Sequence, residues 1–260
     1  MTVVLRLLLA PVFVAAASLV VRRFGPRIGG LVGGLPVVAG PILLVVTLDH
    51  GRRFGSDAAN GTILGLIALA CFVLVYARAC GRLGWAPSLL LGWGGFAVAA
   101  LVLSLVDVAP AAGLAVAWVA FAGVLLALPA TDHAHDAELV DLPAWDLPVR
   151  GLAAAAMVVV LTAASDALGP EWSGLLTPFP VITTVLAVFT HAHHGPTEAR
   201  VLLRGLVLGL YGFALFAYVL AVALRHLGTA PSFALALTAC AAVLAALGLR
   251  AHRAVPRPHV

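Results

Sequence analysis

The chain has 260 residues, 63% of them hydrophobic and only 10% charged, and its mean hydropathy is +1.11. A soluble domain carries roughly 25% charged residues, so the composition excludes a water-solvated globule and points to a helical membrane protein. The formal charge of +4 comes from arginine without any lysine. No basic patch with interleaved aromatics accompanies it, and nucleic acid is not an expected partner.

Runs of about 20 apolar residues, each enough to span the hydrocarbon core, cover most of the chain. They fall at 3–21, 28–48, 59–78, 85–106, 109–129, 148–166, 172–190, 201–223 and 229–249. The expected fold is therefore all-α, a polytopic bundle of about nine transmembrane helices with the lipid bilayer as its first partner.

The first run starts with Arg6 and looks like a signal peptide, but the same segment recurs mid-chain, which argues against cleavage. The loop after it holds Arg22, Arg23 and Arg27. The second run, "IGGLVGGLPVVAGPILLVVTL", contains "GGLVGGLPVVAGP", with five glycines and two prolines in thirteen residues. In a helix interior each such Gly costs about 1 kcal/mol and a Pro about 3, relative to Ala. Pro36 removes a backbone donor at mid-span and clashes one turn back, so the helix should open there. The run ends at Asp49 and His50. Cys71, Cys80 and Cys240 fall in or at the ends of helical runs without CxxC spacing and read as packing residues.

The fifth run lacks a partner in the repeat described below and serves as a connector, 107–130. An acidic linker follows at 131–147 within "TDHAHDAELVDLPAWDLPVR", and Arg150 opens the sixth run. The seventh, "WSGLLTPFPVITTVLAVFT", is interrupted by Pro178 and Pro180, with Thr177 before the break and Thr183 and Thr184 after it. It runs into "THAHHG", which holds His191, His193 and His194. A basic tail closes the chain.

Slid by 144 residues, the chain matches itself without gaps. Residues 6–91 and 150–235 share 27 identities in 86 positions. Gly25-Pro26 pairs with Gly169-Pro170, Pro36 with Pro180, His50-Gly51 with His194-Gly195, and Arg6 with Arg150. About a dozen matches involve Gly, Pro, Arg, His or Ser, which apolar bias does not supply. Each copy holds four helices and the second starts five helices after the first, so the copies should be inverted in the membrane. The domains are then repeat one at 1–106, the connector and linker, and repeat two at 148–260. With the N-terminus outside, 11 arginines fall on the cytoplasmic side and 4 outside, which favours a multi-pass inner-membrane protein of bacterial type with its C-terminus in the cytoplasm.

Interrupted segments at matching positions of inverted halves point to a transporter's central site. Hydrocarbon cannot solvate the freed backbone groups, so such breaks persist only where buried in protein or facing a wet cavity. Gly34, Pro36, Thr177, Pro178, Pro180, Thr183 and Thr184 are the candidate substrate-binding residues. Arg6 with Asp49 and His50 at one face, and Arg150 with His193 and His194 at the other, are candidate gates. Small-xxx-small spacings such as Gly29/Gly33 and Gly30/Gly34 also serve close helix packing. The arginines also serve as snorkelling anchors, and the histidines as a solvated helix end. The acids fall in loops or at helix ends, so no carboxylate for proton coupling is evident. No phosphate loop, GxSxG elbow, HExxH or two-Cys motif marks catalysis, a metal site or a cofactor.

The "GGLVGGLP" and "SGLLTPFP" openings, each followed by an apolar run to a His-Gly end, resemble the small membrane proteins of the GlpM type, here duplicated. In plan the chain is also similar to the drug/metabolite transporter group, whose members are inverted duplications. The expected function is a secondary transporter or carrier for a small solute of unidentified kind, not an enzyme, with oligomerisation open. A non-transporting scaffold subunit of an envelope or lipid-linked pathway stands as the alternative, and a metal-dependent membrane enzyme using the histidines as a third.

Overall fold

The computed structural model describes residues 2–37, 39–129, 145–168 and 179–253, with backbone alone at 2–11, 13, 161–168 and 247–253. Among the described residues all regular structure is helical. The elements are α1 (Thr2–Gly33), α2 (Ala39–His50), α3 (Arg52–Ala79), α4 (Trp85–Ser104), α5 (Pro110–Ala127), α6 (Asp146–Leu168), α7 (Val181–His226) and α8 (Thr229–Arg253). By length and composition α3, α4, α5, α7 and α8 can each cross a membrane. The protein is thus a helical bundle of multi-pass membrane type, as its apolar runs lead one to expect. The nine runs do not emerge as nine separate helices, because α1 and α7 each continue through a sharp bend and the second run is divided between α1 and α2.

Three glycines set these bends. Gly25 within α1 (φ 83°, ψ 167°), Gly51 between α2 and α3 (φ 87°, ψ 166°) and Gly195 within α7 (φ 85°, ψ 178°) share one conformation. Only glycine adopts it without strain. Pro26 and Pro196 follow two of the three. Proline holds the preceding residue in extended ψ and needs no N–H at the start of the next rod. The chain folds straight back on itself at these points: a Cβ on Gly29 would overlap Val21, and one on Gly55 would overlap Thr47. A small residue four positions past each elbow is therefore required, and Gly29, Gly55 and Ala199 stand there. Gly195→Ala should cost about 1–3 kcal/mol through its positive φ. That loss is read as a lowered thermal midpoint in detergent, with Gly94→Ala, which meets no neighbour, unchanged or slightly raised.

The core lies along α7. Two thirds of its most apolar window is buried, against about a fifth for α4, α5 and α8, and α1, α3, α5 and α8 pack around it. The tightest approach is glycine on glycine. Gly30 and Gly34 face Gly205 and Gly209: a Cβ on Gly30 would overlap the carbonyl oxygen of Leu202, and one on Gly205 that of Arg27. Here the small-xxx-small spacing does serve packing, bringing two backbones into contact. The outer faces of α4, α5, α6 and α8 present Val98, Val119, Leu126, Leu152 and Leu237 to the surroundings. Such a surface would drive association in water and suits hydrocarbon.

Polar groups gather at two ends of the bundle. At one end arginines reach carbonyls of the last helical turns: Arg200 Nε donates to Ala77 (3.0 Å), Arg78 Nη2 to Ala127 (3.3 Å) and Arg204 Nη2 to Leu125 (3.2 Å). At the other end Arg52 Nη1 donates to Leu227 (2.8 Å), and Arg225 donates to Ser56 (2.9 Å) and Asp57 (3.2 Å). Cations at helix C-termini satisfy orphan carbonyls and oppose the dipole.

Candidate functional site

The interruption in the second run is real. Helix α1 stops at Gly33, and residues 34–37 are irregular. Gly34 N–H donates to Gly30 (3.0 Å) and Leu31 (3.1 Å), and Leu35 N–H to Val32 (3.1 Å), tightening the last turn. Pro36 then restarts the helix, its carbonyl accepting from Gly40 N–H at 2.8 Å. In the seventh run Phe179 and Pro180 are non-helical, and Pro180 (φ −78°, ψ 61°) centres an inverse γ-turn with Val181 N–H on the Phe179 carbonyl (2.9 Å). The Pro180 carbonyl accepts from Thr184 N–H, also at 2.8 Å. The two prolines, 144 residues apart, thus open their half-helices with the same bond.

Thr183 and Thr184 are buried just inside α7. Trp93 Nε1, from the middle of α4, donates to Thr184 Oγ1 at 3.1 Å, and Phe179 lies against Trp93 and Phe96 with ring centroids 5.4 and 5.5 Å away. The start of α7 is therefore bordered by the Thr184 hydroxyl and an aromatic corner that includes Trp93, a residue sequence reasoning did not assign. Gly34 touches the backbone of Leu206 and Gly209, and Gly33 faces Leu186. Thr177 and Pro178 lie outside the described residues.

Of the two predicted polar groups, the described residues bring one together. Arg150 Nε donates to Asp146 Oδ2 at 2.7 Å, Arg22 Nη2 donates to the same oxygen at 2.8 Å, and His193 Nε2 lies 3.4 Å from Oδ1. Asp146 is fully buried and Arg150 is 2% exposed. The guanidinium of Arg150 sits over the Phe189 ring, 4.8 Å from its centroid, and His194 packs edge-on to His193. This corrects two sequence expectations. Arg150 does not snorkel to solvent, and Asp146 is not a solvated linker acid, because α6 begins at Asp146 and points the pair into the bundle. The signal was present: an Asp–Arg pair at i, i+4 across a helix's first turn, with the acid at the positive end of the dipole.

At the other face, Asp49 and His50 are exposed at the end of α2, where His50 stacks on Phe54 (4.9 Å). Arg6 lies on α1, its side chain outside the described set. His191, read from sequence as part of a solvated cluster, is buried and meets Tyr76 Oη through Nδ1 at 3.1 Å. Among the described residues no three His, Cys, Asp or Glu side chains are placed to hold a metal ion.

No family model matches this chain, and neither a curated protein nor a solved structure is similar to it.

Proposed function

We propose that the protein is a carrier for a small polar solute in the cytoplasmic membrane, built from two inverted copies of one module and working through the paired helix breaks. The observation that carries this reading is a pair of prolines at helix starts: the carbonyls of Pro36 and Pro180 each accept from the N–H four residues on, and Thr183 and Thr184 are buried in the first turn after Pro180. Breaks at this depth suit a guest that takes up polar backbone groups. The duplication is supported by further coincidences at the 144-residue spacing. Gly51 and Gly195 share torsions, α4 and α8 start at Trp85 and Thr229, and Ser88 and Ser232 donate to Gly84 and Gly228 at 2.8 Å each. The orientation follows from the arginines, with the end bearing Arg22, Arg78, Arg150 and Arg200 in the cytoplasm.

Reconstituted vesicles test the reading. A solute set is screened by uptake, and wild type is compared with Thr183→Val and Pro180→Ala. Loss of roughly tenfold or more in uptake for any responding solute, with folding intact, is expected, since that corresponds to about one charge-free site contact. Unchanged uptake in both variants would remove the site from helices α2 and α7. The glycine-on-glycine crossing of Gly30 and Gly34 with Gly205 and Gly209 favours a second reading, a densely packed scaffold subunit, for which no solute responds and a partner protein co-purifies with the chain.

A further inference from the structure

Between Pro180 and Gly195, α7 contains a short rod with a joint at each end. Pro180 (φ −78°, ψ 61°) and Gly195 (φ 85°, ψ 178°) both leave helical torsions, and a few residues of this kind are enough for a rigid piece to turn. One face of the rod carries two hydrogen bonds to neighbouring helices. Thr184 Oγ1 accepts from Trp93 on α4 at 3.1 Å. Two turns on, along the same face, His191 Nδ1 meets Tyr76 Oη on α3, also at 3.1 Å. The two rings stand edge to face with centroids 5.9 Å apart. Tyr76 is fully buried and His191 is 8% exposed. Both lie in helices able to cross a membrane, where an ionisable side chain is costly and marks a functional position.

The bond depends on the charge of the ring. A buried phenol hydroxyl needs an acceptor for its hydrogen. Neutral His191, with its proton on Nε2, supplies the Nδ1 lone pair. A ring protonated at both nitrogens only donates, so the Tyr76 hydrogen loses its acceptor. The other groups facing this side are Cys80 on α3, whose Sγ lies 3.8 Å from the Pro196 carbonyl, and Arg200 beyond the elbow, held on the Ala77 carbonyl at 3.0 Å. Neither a thiol nor a guanidinium offers a positive ring a counter-charge. His193 and His194 interact instead with Asp146 and Arg150.

We propose that His191 is a proton-binding site that works as a latch: the neutral ring fastens the rod 181–194 to α3 through Tyr76, and protonation releases it. The same rod carries Thr183 and Thr184, so release would move the candidate solute site. As control over that site the latch rests on the carrier reading. As a proton-operated contact between α3 and α7 it stands independently.

The test is amide hydrogen exchange of the full chain in detergent, read by mass spectrometry between about pH 8 and pH 5, the interval in which histidine changes charge. Rates are corrected for the intrinsic effect of pH. In wild type the protection of 181–194 should fall by about 5- to 10-fold in acid, the worth of one hydrogen bond. Tyr76→Phe removes the bond at every pH, so its protection should be low throughout. In His191→Asn the amide oxygen stands close to the place of Nδ1 and takes no proton in this interval, so protection should stay at the alkaline wild-type level. The proposal is overturned by a wild-type rod with no acid step, or by a step that persists in either variant, which would belong to His193, His194 or Asp146. Loss of protection at both ends of the interval in His191→Asn would make His191 a packing residue and overturn it equally. Uptake in vesicles is read separately. An acid step in a protein to which no solute responds would remove the carrier and leave the latch. Uptake unchanged by His191→Asn, in a protein without the step, would remove the latch and leave the carrier.

Discussion

Asp146→Ala will destabilise the protein by about 3–5 kcal/mol, the cost of breaking a buried ion pair and leaving its partners uncompensated. Asp146 pairs with both Arg22 and Arg150, and it is fully buried. Its removal sets two guanidinium groups side by side with no carboxylate between them. Denaturation in detergent measures the loss, and the double variant Asp146→Leu, Arg150→Met separates its causes. If the loss arises from stranded charge, the apolar pair recovers most of the stability; if it arises from a disturbed helix start, the double variant is as weak as the single one. The pH dependence has a definite sign. Asp146 precedes the apolar run 148–166, and burial alone would push its carboxyl up. The hydrogen bonds and charges of Arg22 and Arg150 outweigh that and hold it below the ordinary carboxylate value. A group whose folded pKa is depressed contributes stability above its unfolded value and loses it as pH falls through the folded one. The Asp146 contribution should therefore persist through neutral and mildly acidic pH and fade only in strong acid.

Gly30→Ala will be the second severe substitution, at about 3 kcal/mol, the upper part of the range for overpacking a filled interior. The obstacle is the Leu202 carbonyl oxygen, which is backbone and cannot rotate away as a side chain would. Accommodating one methyl group means separating α1 from α7 along their shared length, Gly34 and Gly209 included. Gly61→Ala is the control. Gly61 is open to space, and exchanging a helical glycine for alanine there should stabilise by up to about 1 kcal/mol. Equal thermal midpoints for Gly30→Ala and wild type would mean that the two backbones do not meet as described.

These glycines show how far the sequence could be read. The apolar runs announced a helical membrane protein, and Pro36 announced the irregular turn between α1 and α2, because proline's missing donor acts locally. What local reasoning could not assign was which glycine does what. Gly61 and Gly205 stand at the 144-residue spacing in matching sequence, yet one faces open space and the other the Arg27 carbonyl, a difference created by tertiary contact alone. Gly51 and Gly195 act through backbone torsion, a role visible only once two helices are seen to reverse there. The polar cluster was half legible: Arg150, His193 and His194 were assigned to one gate from the repeat, while Asp146 was hidden by its position at the edge of an acidic stretch. Trp93, on α4, was missed because its bond to Thr184 joins residues 91 apart.

The elbows at Gly25, Gly51 and Gly195 bear on how the chain enters the bilayer. A one-residue connection leaves almost no loop to close, so the entropy lost on pairing its two rods is small. Each pair can meet as soon as its second rod is made. Rods joined this way should leave the translocation machinery two at a time as preformed hairpins, and polar groups near the elbows would cross or anchor together instead of singly. Lengthening any elbow by a few flexible residues would uncouple that timing, and slower insertion would follow without the loss of a single contact in the finished bundle.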